Sequence, residues 1–153
     1  RLVDIDKFYL GRKKLDMAEN ELITEILIPK TDFSKYSYFK VGARNALAIS
    51  RVSFAGVLAL KDGHISNIAC AFGAVADTVL RFRDIEKMFI GKTLSEASAL
   101  KQDFLQAYDT SIVPIRGRVS MEYRKAVCMN LLNEFLSQRG IYLGRFCGFD
   151  INP

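Results

Sequence analysis

Two apolar runs separated by Asp62-Gly63 give the clearest structural signal in the chain. Both runs are rich in β-branched residues, and an Asp-Gly pair between such runs is typical of a two-residue type I′ hairpin turn. The turn predicts the following cross-strand pairs, of which we expect the first two to be buried: Leu60 with Ile65, Val57 with Ile68, and Phe54 with Ala71. Both faces of this hairpin are largely apolar, so each face needs a cover.

The segments around the hairpin predict one further strand and three helices. Tyr36 to Gly42 favours a third strand, since three strands with a packed face are about the minimum for a stable sheet. After Asp77 the apolar positions recur at helical spacing up to Gly91, and Thr93-Leu94-Ser95-Glu96 is a capping box that predicts a second helix. Apolar positions from Ser120 to Arg139 predict a third helix, ended by Gly140. The predicted fold class is therefore α+β, a three-stranded antiparallel sheet packed on three C-terminal helices.

The first thirty residues differ from the rest of the chain. "AENELITEILIP" holds a short apolar alternation that stops at Pro29, and we interpret it as a strand and loop that belong partly to a preceding domain. The pattern is already under way at Arg1, so we expect the sequence to be a piece of a longer chain. The expected divisions are 1–33 for the end of the preceding domain, 34–140 for the α+β domain and 141–153 for a C-terminal tail.

Charge and hydropathy limit the possible partners. The chain has 153 residues, 25% of them charged, and a net charge of +5, which is moderate for a globular protein. No run of 18 apolar residues occurs, and the N-terminus has no apolar signal region, so we predict a cytoplasmic protein with no membrane partner.

Basic residues cluster at the predicted start of the third helix: Arg116, Arg118, Arg124 and Lys125. Such a cluster is able to bind nucleic acid or an acidic protein surface. Glu122 dilutes the charge and no aromatic RNA-binding motif accompanies it, so a solvated helix start or a protein interface is favoured over nucleic acid.

The residues themselves indicate neither a catalytic group nor a metal site. Cys70, Cys128 and Cys147 lie far apart, and His64 is the single histidine of the chain. Neither a zinc site nor a cysteine–histidine or serine–histidine pair is therefore predicted. The cysteines are expected to be buried as small apolar residues, and His64 to face solvent beside its turn.

The loop "YFKVGARN" is the one candidate ligand site. Lys40 and Arg44 attract anions, and Gly42 allows a ligand to approach the backbone closely. The stretch has neither a Walker motif nor a dinucleotide fingerprint, so from spacing alone a solvated interstrand turn is favoured over a ligand loop.

Several stretches, in this order, resemble one family: "FYLGRKK…ENELITEILIP", "YFKVGARNALAISRVSFAGVLALKDGHISNIACAFGAVADTVLR", "GKTLSEA" and "RGRVSMEYRKAVCMNLL". Together they are similar to the C-terminal half of the FAD-binding subunit of the xanthine dehydrogenase and carbon monoxide dehydrogenase family of molybdenum hydroxylases. The similarity extends to about Leu136, and the segment after the third helix falls outside it.

This resemblance implies a function and a set of site residues. It implies electron transfer from [2Fe–2S] clusters through FAD to NAD or another acceptor, with the molybdenum cofactor and the iron–sulfur clusters on partner subunits. FAD would be shared with an N-terminal FAD-binding half, so the chain by itself is expected to be inactive. The implied flavin contacts are Lys40 and Ile23, with Gly42 bringing the loop close to the cofactor.

Two questions stay open from the sequence. The loop "VGARNALA" has no acidic residue, although relatives that reduce NAD efficiently can carry them there, so the resemblance is consistent with NAD and with another acceptor. The alternative function is a non-catalytic α+β interaction module that docks a protein or nucleic acid through the basic start of its third helix.

Overall fold

A computed structural model describes residues 1–30, 35–44 and 48–143. The elements in chain order are α1 (Ile5–Phe8), β1 (Tyr9–Gly11), β2 (Lys14–Leu15), β3 (Lys35–Val41), β4 (Val52–Lys61), β5 (His64–Gly73), β6 (Leu80–Arg81), α2 (Arg83–Glu86), α3 (Leu94–Ala99), α4 (Lys101–Ser111) and α5 (Met121–Gln138). The α+β class is confirmed.

The main sheet is antiparallel and has four strands in the order β3-β4-β5-β6, instead of the three predicted. The additional strand, β6, pairs Leu80 with Phe72 and Arg81 with Ala71. A strand of two residues is too short to show an alternation of apolar and polar positions, so the sequence pattern did not reveal it.

The hairpin turn between β4 and β5 is formed as predicted. Asp62 and Gly63 both have left-handed backbone angles, with φ of 52° and 77°, as a type I′ turn requires. Leu60 pairs with Ile65, in agreement with the sequence-based prediction.

Beyond this first pair, the predicted register is wrong by one residue. A β-bulge shifts the pairing next to Ala59, so the bulged strand β5 contributes one extra residue, Ser66. The pairs that follow are Leu58 with Ile68, Val57 with Ala69, and Phe54 with Phe72. Turn chemistry fixes only the pairs next to the turn, and the bulge reassigns the rest.

The inner face of the sheet forms the core with the helices. Phe54, Leu58 and Ile68 are buried on this face. Val57 and Leu60, which were predicted to be buried, are only partly so. Val57 alternates onto the opposite face of the sheet, and Leu60 lies next to the turn, at the end of the hairpin where the two strands join.

The helices match the prediction in position but are more divided. α2 is a single turn, and the predicted second helix is interrupted at Leu100, whose φ of −90° and ψ of −1° separate α3 from α4. The capping box is present: Thr93 Oγ1 accepts from the Glu96 N–H, and the Glu96 carboxylate accepts from the Thr93 N–H. α5 begins after its N-cap Ser120 and ends before Arg139, as predicted.

α5 lies across β4 and is anchored to the edge strand β3. The ring of Phe135 packs on Gly56, where an added Cβ atom would come within 2.8 Å of two ring carbons. At the end of the helix Arg139 donates a hydrogen bond to the Tyr36 carbonyl (2.6 Å) and another to the Ser37 hydroxyl. These contacts hold the helix layer against one face of the sheet.

The edge of β5 beyond the short β6 is completed by other groups. The buried carboxylate of Glu86 accepts the Cys70 N–H at 2.7 Å and pairs with Arg81 at 2.9 Å. Further along, the Ile65 N–H donates to the Lys92 carbonyl at 2.8 Å. The backbone N–H groups of Cys70 and Ile65 at this edge are therefore satisfied by α2 and by the turn that follows it.

The strand predicted over Leu22–Ile28 is not formed. The segment 16–30 has no helix or strand, and Leu22, Ile26 and Ile28 are more than three-quarters exposed. A period-two pattern specifies a strand only when a neighbouring strand pairs with it. The only regular elements before residue 31 are α1 and the β1–β2 hairpin.

Candidate functional site

Lys40 lies near the end of β3, on the sheet face opposite the helices. It pairs with Ser53 of β4, and its side chain is exposed. Among the described residues no carboxylate forms an ion pair with Lys40. The structure therefore places an accessible positive charge on this surface, which we call the open face.

Two tyrosines continue the same row. Tyr38 and Tyr36 alternate with Lys40 along β3, and they are 63% and 74% exposed. Their partners on β4 are Ala55 and Val57. Tyr36 and Tyr38 thus border an area of the sheet with mostly small side chains. Ala69, Ala71 and Gly73 of β5 belong to the same area.

Gly42 follows directly on β3 and packs closely against Ala48. A Cβ atom at Gly42 would lie 2.7 Å from the Cβ of Ala48, which is closer than side chains approach each other. A glycine is required here by packing within the loop. A close approach to a cofactor stays a prediction.

Ile23, the other predicted flavin contact, lies outside β3 and the loop after it. It lies in the irregular segment before the sheet, and its side chain is 55% exposed. The structure thus places Lys40 and Gly42 together at the end of β3, and a contact between Ile23 and the cofactor stays a prediction.

The basic start of α5 is partly used inside the fold. Arg124 donates a hydrogen bond to the Ala74 carbonyl, and Lys125 pairs with Asp109 at 3.2 Å. Arg116 and Arg118 are exposed. Two of the four cations therefore hold α5 to its neighbours.

The remaining reactive side chains are structural. Cys70 and Cys128 are buried free thiols, as predicted, and burial raises the pKa of Cys128 to about 12. Neither is a nucleophile at neutral pH. Cys147 lies outside the described residues. His64 is exposed at the turn, and no group of three metal-ligating side chains exists in the described part of the chain.

Sequence reasoning missed the two tyrosines of the open face. The alternation Tyr36, Tyr38, Lys40 was a signal that they share one face, but the run was too short to say which face is covered. It also missed Arg51, which the fold brings near the start of α5. No local pattern connects residues so far apart in the chain.

Residues 37–139 match the family model of the CO dehydrogenase flavoprotein C-terminal domain. The chain is 34% identical over 121 residues to the glyceraldehyde dehydrogenase medium chain of Sulfolobus acidocaldarius, covering 78% of this chain and 42% of that protein. It is 26% identical over 141 residues to the nicotine 6-hydroxylase medium subunit of Paenarthrobacter nicotinovorans, covering 92% and 48%. The chain thus spans less than half the length of these relatives.

The fold matches solved structures as well. Carbon monoxide dehydrogenase from Hydrogenophaga pseudoflava superposes with a TM-score of 0.74 at 25% identity, over 86% of this chain and 46% of that chain. Within the described residues, no helix is both long and apolar enough to cross a membrane. The chain belongs to the CO dehydrogenase flavoprotein C-terminal domain family, which forms the C-terminal part of FAD-binding subunits in molybdenum hydroxylases.

Proposed function

We propose that this chain is part of an FAD-binding subunit that passes electrons from [2Fe–2S] clusters through FAD to NAD or another acceptor. The partners in this proposal are an N-terminal FAD-binding half, a molybdenum-binding subunit and an iron–sulfur subunit. Family membership supports the proposal. The observation that links it to a particular residue is the exposed side chain of Lys40 on the open face.

The open face suits a flat ring system that gains negative charge on reduction. Ser53, Ala55 and Ala71 are small, so a planar group is able to lie close to the strands. Tyr38 offers an aromatic side chain at the border of this area. The residues present therefore fit one flank of an isoalloxazine ring, while the pyrophosphate of FAD is expected to bind in the N-terminal half.

FAD, when bound, supplies the redox chemistry that links one-electron and two-electron carriers. The role of Lys40 is electrostatic. Its ammonium group has no carboxylate partner among the described residues, so it favours negative charge on whatever group lies against it. A cation in this position makes reduction of a flavin more favourable, since the reduced ring gains negative charge.

Lys40→Met in the full-length protein tests this role. Because an exposed charge pair contributes at most about 1 kcal/mol, the flavin potential is expected to fall by roughly 20 mV for a two-electron couple. Purification followed by a visible absorption spectrum establishes whether flavin is bound, and redox titration of both proteins measures the shift.

Lys61→Met is the matched control. Lys61 is exposed on the neighbouring strand, eight positions along β4 from the partner of Lys40, which corresponds to about 26 Å. It is expected to leave the potential and the FAD affinity unchanged. A full-length protein without flavin absorbance would contradict the proposed function. Equal potentials and equal FAD affinities in wild type and Lys40→Met would contradict the role of Lys40.

The alternative of an interaction module has less support. It relied on the basic start of α5, and two of those four cations are engaged with Ala74 and Asp109. No observation favours a nucleic-acid partner.

A further inference from the structure

A cavity of about 390 Å³ opens between the loop after β3 and the start of α5. Its described lining combines four arginines, one serine and four small or aliphatic residues: Arg44, Arg51, Arg118, Arg124, Ser50, Ala43, Ala48, Ile49 and Val119. The described walls therefore concentrate positive charge, with no acidic residue among them.

Arg124 is held in the wall in a fixed position. Its Nη1 donates to the Ala74 carbonyl, and Nη2 lies so close to Gly117 that a Cβ there would be 2.5 Å away. Its Nε is buried and has no hydrogen-bond partner among the described residues. A buried guanidinium N–H without an acceptor costs free energy, and an anion in the cavity would offset that cost through attraction to the charge of the guanidinium group.

Arg51 and Arg118 add charge from two other directions. Arg51 precedes β4 and Arg118 precedes the N-cap Ser120 of α5. Neither side chain forms an ion pair within the described part of the chain. Glu122, the acidic residue in the first turn of α5, does not line the cavity, and its pKa is lowered because its carboxylate accepts hydrogen bonds from its own N–H and from the Ser120 hydroxyl.

We infer that this cavity binds a small organic phosphate, with the arginines on its phosphate group and the aliphatic wall against its organic part. Guanidinium groups match phosphate oxygens in pairs, and several of them favour a dianion over a monoanionic carboxylate. The volume lies within the range of ligand pockets and exceeds what one phosphate group fills. The inference rests on the cavity alone and does not require the proposed electron transfer.

The test is calorimetric titration of the purified full-length protein at constant ionic strength. The probes are phenyl phosphate, inorganic phosphate and benzyl alcohol. We expect phenyl phosphate to bind more tightly than inorganic phosphate, and benzyl alcohol not to bind. Arg118→Gln and Arg51→Gln are each expected to weaken phenyl phosphate about tenfold, the scale of one charge-assisted hydrogen bond.

Arg116→Gln is the matched control, since Arg116 is exposed two residues from Arg118 and does not line the cavity. Its affinity for phenyl phosphate is expected to equal that of the wild type. Arg124 is left unchanged in these variants because its contact with Ala74 gives it a structural role.

Four results would overturn the inference. These are no binding of either phosphate, equal weakening by Arg116→Gln and Arg118→Gln, equal affinity for phenyl phosphate and inorganic phosphate, and displacement of phenyl phosphate by FAD. Equal affinity for phenyl phosphate and inorganic phosphate would mean that the cavity binds the phosphate group alone and does not recognise an organic part. The fourth would assign the cavity to the flavin. A flavin-free protein that still binds phenyl phosphate would contradict the proposed function and leave this inference intact.

Discussion

Replacing Gly56 with alanine tests how α5 is seated on the sheet. The new Cβ would lie 2.8 Å from Cδ2 and Cε2 of Phe135 and 2.8 Å from Cε1 of Phe54. Carbon atoms in good contact are about 3.5–4.0 Å apart, so at least one ring has to move by roughly 1 Å. Both rings are fully buried and their centroids are only 5.5 Å apart, which leaves little room for such a movement.

The expected cost combines two opposing effects. Inserting a methyl group into a packed core destabilises by about 1–3 kcal/mol. Alanine in place of glycine stabilises by about 0.4–1 kcal/mol, since the unfolded chain has less backbone freedom to lose. The free energy of unfolding is therefore expected to fall by about 1–2 kcal/mol, which for a chain of this size lowers the melting temperature by roughly 2–8 °C.

Phe135→Leu provides the control through a double-mutant cycle. The smaller side chain removes the two ring carbons that the new methyl group would meet. We expect Phe135→Leu to lower the free energy of unfolding by at least about 1 kcal/mol less in the Gly56→Ala protein than in wild type. Urea unfolding of the four proteins measures this difference. If Gly56→Ala is as stable as wild type, or if the two changes are additive, Phe135 does not pack on Gly56 as described.

Two further changes test the register of the sheet and the capping box. Leu58→Asp is expected to lower the free energy of unfolding by more than about 4 kcal/mol, because it loses a buried leucine and buries an unpaired carboxylate. Ala55→Asp, on the exposed open face, should stay within about 1 kcal/mol of wild type by urea unfolding, and similar losses would refute the register. Hydrogen bonds from the N–H and hydroxyl of Thr93 lower the pKa of Glu96, so its contribution is present above the ordinary value near 4.5 and is lost as the pH falls. The stability gap between wild type and Glu96→Gln should therefore narrow in acid, and a gap that is constant from pH 7 to pH 3 would show that the carboxylate does not cap the helix.

Local signals predicted the parts of the fold that depend on neighbouring residues. The Asp62-Gly63 turn and the Thr93–Glu96 box involve groups within three positions of each other, so nothing distant is able to override them easily. The start and end of α5 were predicted for the same reason, with Ser120 and Gly140 as its signals.

The register of β5 was not predictable in this way. Ser66 is the extra residue of the bulge, and its hydroxyl donates to the Ala59 carbonyl at 3.2 Å. The bulge is favoured because it puts Ile65 and Ile68 on the same buried face, although their spacing of three would place them on opposite faces of a regular strand. The preference for the bulged register arises from packing against the helices. The sequence of the hairpin alone carries no information about that packing.

The two candidate sites differ in the same way, because one could be identified from a local stretch of sequence and the other could not. Lys40 was singled out because it lies in a short stretch that resembles the family. The arginine cavity needed the fold, since Arg51 and Arg118 are 67 positions apart and meet only after the sheet and α5 are assembled. A cluster of charges formed by residues far apart in the chain produces no periodic pattern in the sequence.

The bulge has a consequence for the open face as well as for the core. In a regular strand that keeps Ile65 buried, Ile68, Cys70 and Phe72 would alternate onto the face that carries Lys40. With Ser66 as the extra residue, those three side chains enter the core, and Ala69 and Ala71 take their places outside. The large residues therefore stabilise the helix layer, while the face around Lys40 is lined by side chains small enough to leave room for a planar ligand. The same shift predicts that substitutions at Ala69 and Ala71 affect what binds to the open face, whereas substitutions at Ile68 affect whether the domain folds.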